Sequence, residues 1–274
     1  MFQLDKCQVR LARESDREDL IQISKGIWDG HDYLPQLLNR WINEPYFFVC
    51  EYEGKVIACL KLSLFPDHVL WFEGLRVHQK YQGQGIATMM NRHLFSFARG
   101  LQRQNPSLSY EFCTYYKNVE SLHLTQKLGF RTVERFYSLD KRGVKHTARP
   151  EIVRDFAMAE FAALGKYIPL GWQAVHHTEA SLDFIKARAQ LFRTPQASYL
   201  LGGLTEPNIL FLSPPVADIK AELPYFQHFY GSRKRMSFIL PRKYKRHIPR
   251  LLENKFYFWD DSREVAENLL ILRL

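Results

Sequence analysis

The segment Val77-His78-Gln79-Lys80-Tyr81-Gln82-Gly83-Gln84-Gly85-Ile86-Ala87 constrains this 274-residue chain more than any other stretch. An apolar, β-rich run from Val69 to Val77 enters it, and a helical pattern from about Gly85 to Arg99 leaves it. A strand that feeds a helix through two glycines belongs to a mixed α/β architecture. The first turn of such a helix carries amides without intrahelical acceptors, and with the helix dipole they can hold a phosphate. Gly83 and Gly85 remove side chains where the main chain must approach an anion. No Gly-Lys-Ser/Thr follows, so the loop is not a nucleotide P-loop, and it lacks the GxGxxG spacing of a dinucleotide fold.

The flanking pattern extends the reading. Val9 to Leu11 reads as a strand, and Ser15-Asp16-Arg17-Glu18 as a capping box for a helix with Leu20, Ile21, Ile23 and Ile27 as its apolar stripe. Gly30 to Pro35 breaks that helix, and Gln36 to Asn43 predicts a second. Phe47 to Tyr52 and Val56 to Leu64 are strands joined by Glu53-Gly54, a tight-hairpin signal, and Pro66-Asp67 turns into the run ending at Val77. Downstream come a strand (Leu108 to Thr114), a helix (Glu120 to Leu128) stopped by Gly129, and a strand (Phe130 to Leu139). The order is β-α-α-β-β-β-α-β-α-β, with a largely antiparallel start.

Lys141 to Pro150 is polar and aperiodic, so the expected division is a domain over 1–140, a linker over 141–150 and a second α+β domain over 151–274. In the latter, Glu151 to Leu164 reads as a helix facing its core with Ile152, Phe156, Ala159 and Ala163, and Ser181 to Phe192 as another. Ala197 to Leu201, Asn208 to Leu212, Ser237 to Leu240, Phe256 to Trp259 and Leu269 to Leu274 read as strands, and His247 to Glu253 as a helix. Leu251-Leu252-Glu253-Asn254-Lys255-Phe256 echoes Gln126-Lys127-Leu128-Gly129-Phe130, which suggests a degenerate second copy of the same half-fold.

Charge is unevenly placed. The chain carries +9 in all, but residues 141–274 hold 21 basic and 13 acidic side chains, against 17 and 16 before them. Arg233-Lys234-Arg235 and Arg242-Lys243-Tyr244-Lys245-Arg246 form a run that could meet an anionic partner, although a solvated face is the plainer reading. No apolar stretch is long enough to span a membrane and the first residues are not a secretory signal, so no membrane partner is expected. Cys7, Cys50, Cys59 and Cys113 have no zinc spacing and read as reduced thiols of a cytoplasmic protein, with no metal expected.

Gln82-Gly83-Gln84-Gly85-Ile86-Ala87 resembles the Q/R-x-x-G-x-G/A motif of the Gcn5-related N-acetyltransferase (GNAT) superfamily. Leu75-Arg76-Val77 before it, and Asn118-Val119-Glu120-Ser121 with Lys127-Leu128-Gly129-Phe130 after it, are similar to the neighbouring motifs of that family. The resemblance covers about residues 7–140. It implies a GNAT acyl-CoA N-acyltransferase fold, acetyl-CoA as co-substrate, and an amine acceptor attacking directly in a ternary complex. It further implies that backbone amides of Gln82, Gly83, Gln84, Gly85, Ile86 and Ala87 hold the pyrophosphate. Leu75, Arg76 and Val77 would line the pantetheine arm with Asn118 beside it, and the Val77 amide would donate to the thioester oxygen. Ile23 to Pro35 with Phe72-Glu73-Gly74-Leu75-Arg76-Val77 look most like the histidine N-acetyltransferase group, which implies a free amino acid or other small amine as acceptor.

Acyl transfer needs a base for the ammonium and an acid for the leaving thiolate. Glu73, read on the face of Leu75 and Trp71, is the expected base. Thr125 stands where many family members carry a tyrosine acid, so Tyr116, with Tyr115 beside it, is the expected alternative. Asp29, Asp32 and Tyr33, in the turn between the first two helices, are expected at the acceptor site, where acidic groups suit a cationic amine; His31 there reads as a solvent-facing histidine. Two alternatives stay open: a peptide or protein N-acetyltransferase, and a non-catalytic module that senses acetyl-CoA or binds nucleic acid through the basic run. Nucleic acid is not the expected partner, and the oligomeric state, monomer or homodimer, is not legible.

Overall fold

Glu53 and Gly54 both adopt left-handed backbone, with φ of 49° and 76°. Two consecutive positive φ values make the primed two-residue turn that matches strand twist, so the hairpin forms where the Glu-Gly pair predicts it. In the computed structural model, which describes residues 2–27, 32–258, 260 and 264–274, this hairpin joins the strands at the centre of the first of two compact units, Met1–Phe112 and Cys113–Leu274.

The first unit runs β1 (Gln8–Leu11), α1 (Arg17–Lys25), α2 (Leu34–Asn43), β2 (Phe47–Tyr52), β3 (Lys55–Phe65), β4 (Val69–Val77), α3 (Ile86–Gln104) and β5 (Ser109–Tyr115), which carries the chain into the second unit. Strands β1 to β4 pair antiparallel in sequence order, and β4 pairs parallel with β5 from Val69↔Ser109 to Trp71↔Glu111. That register ends at Trp71 while β4 runs on to Val77. Helix α3 buries Ile86, Met90, Leu94 and Ala98, one face at helical spacing, and Phe95 stacks on Phe72 at 5.0 Å. Helix α2 buries Leu34, Leu37, Leu38 and Trp41 in the same way. Each large side chain removed from water contributes about 1.5–3 kcal/mol.

The second unit continues with α4 (Val119–Lys127), β6 (Arg131–Arg142), β7 (Glu151–Val153), β8 (Tyr167–Pro169), β9 (Ala174–His176), α5 (Leu182–Arg188), β10 (Gln190–Arg193), β11 (Ser198–Gly202), β12 (Asn208–Phe211), α6 (Ile219–Tyr230), β13 (Arg235–Pro241), α7 (Ile248–Glu253), β14 (Phe256–Phe258) and β15 (Leu269–Arg273). Its pairings repeat those of the first unit. β7–β10, β10–β11 and β11–β12 are antiparallel, and β12–β13 are parallel across helix α6. This is the β1–β2–β3–β4–β5 series with α3 as crossover, written a second time. The echo noticed in the sequence falls in register with it: α4 leads to β6 through Gly129 at φ 97°, and α7 leads to β14 through Lys255 at φ 62°. The core of this copy is aromatic, with Phe192, Tyr199, Phe211, Phe226 and Phe238 packed edge to face and stacked.

Four local expectations are corrected. The Ser15/Glu18 capping box does not form; the Asp16 carboxylate instead accepts from the Arg13 amide at 2.8 Å and from Arg10. Glu151 to Leu164 is not an α-helix, because Ile152 and Val153 pair with β10, and only Met158–Phe161 winds, as a single 3-10 turn that buries Met158 and Phe161. Only Leu182–Arg188 of the next expected helix is helical, since Gln190–Arg193 belongs to the sheet. The expected linker lies inside the second unit, and its first two residues, Lys141 and Arg142, complete β6. Helix α6 was not expected at all, because Pro224 stands inside it.

Strand β4 contains a bulge. Lys61 on β3 faces Glu73 and Cys59 faces Arg76, so three residues of β4 span two of β3. Gly74 makes this possible with φ 74°, and a Cβ there would lie 2.6 Å from the ring of the buried Trp41. Gly74→Ala should therefore cost about 2–4 kcal/mol, from overpacking plus left-handed strain. Urea unfolding monitored by tryptophan fluorescence measures this, and an unchanged midpoint would rule out the bulge as a stability determinant.

Candidate active site

The connection from β4 to α3 is built from short internal bonds that leave its outer face open. His78 Nδ1 accepts from the Lys80 amide at 3.2 Å, fixing a single helical turn over Gln79–Tyr81. Gln82 Nε2 donates to the Val77 carbonyl at 3.1 Å, which returns the loop to the end of β4. Gly83 and Gly85 have φ of 75° and 82°, and a Cβ at Gly83 would meet nothing within 4 Å. Residues Gln82 to Gly85 are exposed, while Ile86 is buried and Ala87 half-buried. Gly85 caps α3, and among the described residues no side chain accepts from the first helical turn. The result is a nineteen-residue helix whose positive end points into an open loop.

The second copy closes the corresponding place. Its connection from β12 to α6 reads Leu212-Ser213-Pro214-Pro215-Val216-Ala217-Asp218, without glycine and with two residues that lack an amide proton. Asp218 caps α6 by accepting from the Ala221 amide. Tyr244 donates to the Leu212 carbonyl at 3.3 Å, and Arg250 donates to the Pro215 carbonyl. Every feature that leaves the α3 terminus open is reversed at α6.

Upstream of the open loop, the Gly74 bulge sets which side chains of β4 share a face. Trp71, Glu73 and Arg76 face Ser63, Lys61 and Cys59 of β3 and so lie on one side. The Cβ direction of Gly74 is on that side too, next to Trp41, which turns Leu75 to the other. The expected common face of Glu73 and Leu75 is corrected accordingly. Glu73 accepts from Ser63 Oγ at 2.7 Å. Leu75 and Val77 present carbonyls that already accept one bond each, from Arg76 Nη1 at 3.0 Å and from Gln82.

Asp32 is not the free anion expected of an acceptor site. It is 6% exposed, and both of its oxygens accept from Arg76, which is 8% exposed, at 2.9 Å each. It also accepts from the Leu34 amide, opening α2. Arg76 is correspondingly spent on Asp32 and on the Tyr33 ring, 4.8 Å from its guanidinium, instead of reaching outward. Burial raises the Tyr33 phenol above its ordinary value, with Arg76 opposing. Asp29 and His31 lie outside the described residues.

Tyr116 and Asn118 belong to the second unit. Tyr116 is half-buried, packs against Tyr115 at 5.0 Å and lies beneath Lys117. Burial, followed by Asp260, raises the Tyr115 phenol, which disfavours it as an ionising group. Asn118 is exposed and caps α4, accepting from the Ser121 amide and donating to Thr114 Oγ1. Thr125 Oγ1 donates to the Ser121 carbonyl at 2.7 Å. All four cysteines are free, and burial pushes the Cys113 thiol well up, which makes it a poor nucleophile. The sequence reading missed Lys61, a fully buried lysine opposite Glu73. Its only signal is a charge inside the apolar run Val56 to Leu64.

If the α3 terminus receives a pyrophosphate, Gly85→Asp places a carboxylate at the anion site, with Leu4 Cδ2 3.5 Å from the new Cβ. Acetyl-CoA affinity measured by calorimetry should fall at least about ten-fold in a variant that remains folded. Unchanged affinity would remove the loop assignment.

Comparison with known proteins bears on this geometry. The Acetyltransferase (GNAT) family model matches residues 15–130. A human protein named "Probable N-acetyltransferase 16" is 28% identical over 206 residues, 70% of this chain and 50% of that protein. A Xenopus tropicalis protein named "Histidine N-acetyltransferase" is 29% identical over 139 residues, 49% of this chain and 39% of its own. This chain thus spans half or less of the length of these curated relatives. A solved GCN5-related N-acetyltransferase from Sphaerobacter thermophilus shares the fold, with a TM-score of 0.63 at 12% identity, over 98% of this chain and 96% of its own. The bulged strand, the open glycine loop and the uncapped α3 follow one another inside residues 15–130, and that segment carries a GNAT acetyltransferase domain.

Proposed function

We propose that this chain transfers an acetyl group from acetyl-CoA to the amine of a small molecule, with a free amino acid such as histidine as the favoured acceptor. The observation that carries the reading is the open, glycine-led terminus of α3 placed directly after a strand bearing Glu73. The family implies acetyl-CoA, and the loop fits a pyrophosphate: no side chain fills it, its glycines are left-handed, and its helix presents uncapped amides. The acceptor class is supported by the Xenopus relative's name and by the likeness around Phe72 to Val77.

When bound, acetyl-CoA supplies an activated acyl thioester. In this reading the amides of Gln82 to Ala87 hold its phosphates, and the main chain of Leu75 and Val77 lines its arm. Glu73 takes a proton from the acceptor ammonium so that the neutral amine can attack, and Ser63 orients the carboxylate. Arg76, Asp32 and Tyr33 form a closed wall beside it.

A thiol-release assay over L-histidine, other amino acids, polyamines and short peptides tests the reading. Turnover with histidine or another free amino acid is expected, and turnover with peptides alone would overturn the small-acceptor assignment. Glu73→Gln should lower kcat about 10²-fold while leaving acetyl-CoA affinity unchanged. Wild-type turnover in that variant would reduce Glu73 to a structural residue.

A further inference from the structure

Lys61 is 1% exposed in the middle of β3, a costly place for an ammonium. Its Nζ donates to the Pro45 carbonyl at 2.8 Å and to the Leu62 carbonyl at 3.0 Å, and lies 3.5 Å from Glu44 Oε2. Three acceptors for three protons describe a charged amine. The Leu62 carbonyl is buried inside β3, so these bonds satisfy the ammonium where it stands, and a carboxylate stands across the ladder as well. Lys61 and Glu73 are directly opposed on β3 and β4, and such pairs bring their Cβ atoms to about 4.5–5.5 Å.

The charged groups around Lys61 and Glu73 set the context. From β3 come Lys61 and the neutral Ser63; from α2 come Arg40 and Glu44, with the Tyr33 phenol at its start. Arg76 of β4 is paired with Asp32. Helix α1 offers the buried Ser24, whose hydroxyl turns back to the Ile21 carbonyl. Among the described residues this set holds three cations, Arg40, Lys61 and Arg76, and two anions other than Glu73, namely Asp32 and Glu44. Arg76 is paired with Asp32, and Glu44 is shared between Arg40 at 3.3 Å and Lys61 at 3.5 Å.

We propose that Lys61 is a positioning residue whose buried ammonium keeps Glu73 a carboxylate. Its part in catalysis rests on the reading of Glu73 as the base, whereas its electrostatic effect on Glu73 does not. Burial lowers the Lys61 ammonium below its ordinary value, and Glu44 and Glu73 oppose that, as expected of a cation held in place by its neighbours. A base needs to be unprotonated before the ammonium arrives, and a fixed charge behind it secures this without contacting the substrate.

The test follows the Glu73 carboxyl carbon directly, by NMR of protein labelled with carbon-13 at the glutamate carboxyls, its signal being the one lost in Glu73→Gln. Lys61→Met removes the cation at similar volume and should move the titration midpoint of Glu73 up by about one pH unit. Glu44→Gln, at a half-exposed site, removes an anion and should move the midpoint down. A purely structural role for Lys61 predicts no such opposed shifts. If Lys61→Met does not fold, Glu44→Gln decides alone. A midpoint that stays in place in the folded variant overturns the proposal. Retention of full turnover by Glu73→Gln would instead overturn the base reading and leave the shift standing.

Discussion

The bidentate pair between Arg76 and Asp32 organises the first unit. Two buried charges are expensive to desolvate, and only their short, paired hydrogen bonds offset that cost. Because the cost is recovered in one geometry alone, the pair fixes where the turn before α2 meets β4. The Leu34 amide on Asp32 starts α2, the Arg76 guanidinium covers Tyr33, and Trp41 of α2 packs where only a glycine fits on β4. Glu73 sits on the strand that this arrangement holds in place.

The two copies of the half-fold show how little separates a binding element from a supporting one. Strand order, pairing sense and crossover helix are the same in both. The difference that bears on binding lies in the connection after the fourth strand of each copy. Glycines and an empty cap leave one helix end open; prolines, an aspartate cap and a tyrosine from the following turn seal the other. The second copy keeps a dense aromatic core, so its fold has been maintained without the loop.

Much of this was legible in the sequence, because it depends on local chemistry. The Glu53-Gly54 turn, the strand–glycine–helix unit and the helix exit at Gly129 each follow from dihedral preferences of a few neighbouring residues. What was not legible depends on partners far along the chain. Nothing local shows that Asp32 will be claimed by Arg76, forty-four positions away, in place of an acceptor. A single glycine in a strand signals a bulge only in principle, so Leu75 was placed on the face of Glu73. Helix α6 was hidden by Pro224, whose missing amide proton is tolerated there, and Ile152 to Ala163 matched a helical period that pairing with β10 overrode.

The two caps, finally, differ in what completes them. Asp218 gives α6 its anion from within the chain, so the conformation of that helix end is set once the protein has folded. Among the described residues the end of α3 has no such resident, so an anion seated there would have to come from outside the chain. Any ligand of that end would couple the stability of the first half to the medium, a coupling that the aspartate-capped end of α6 does not offer.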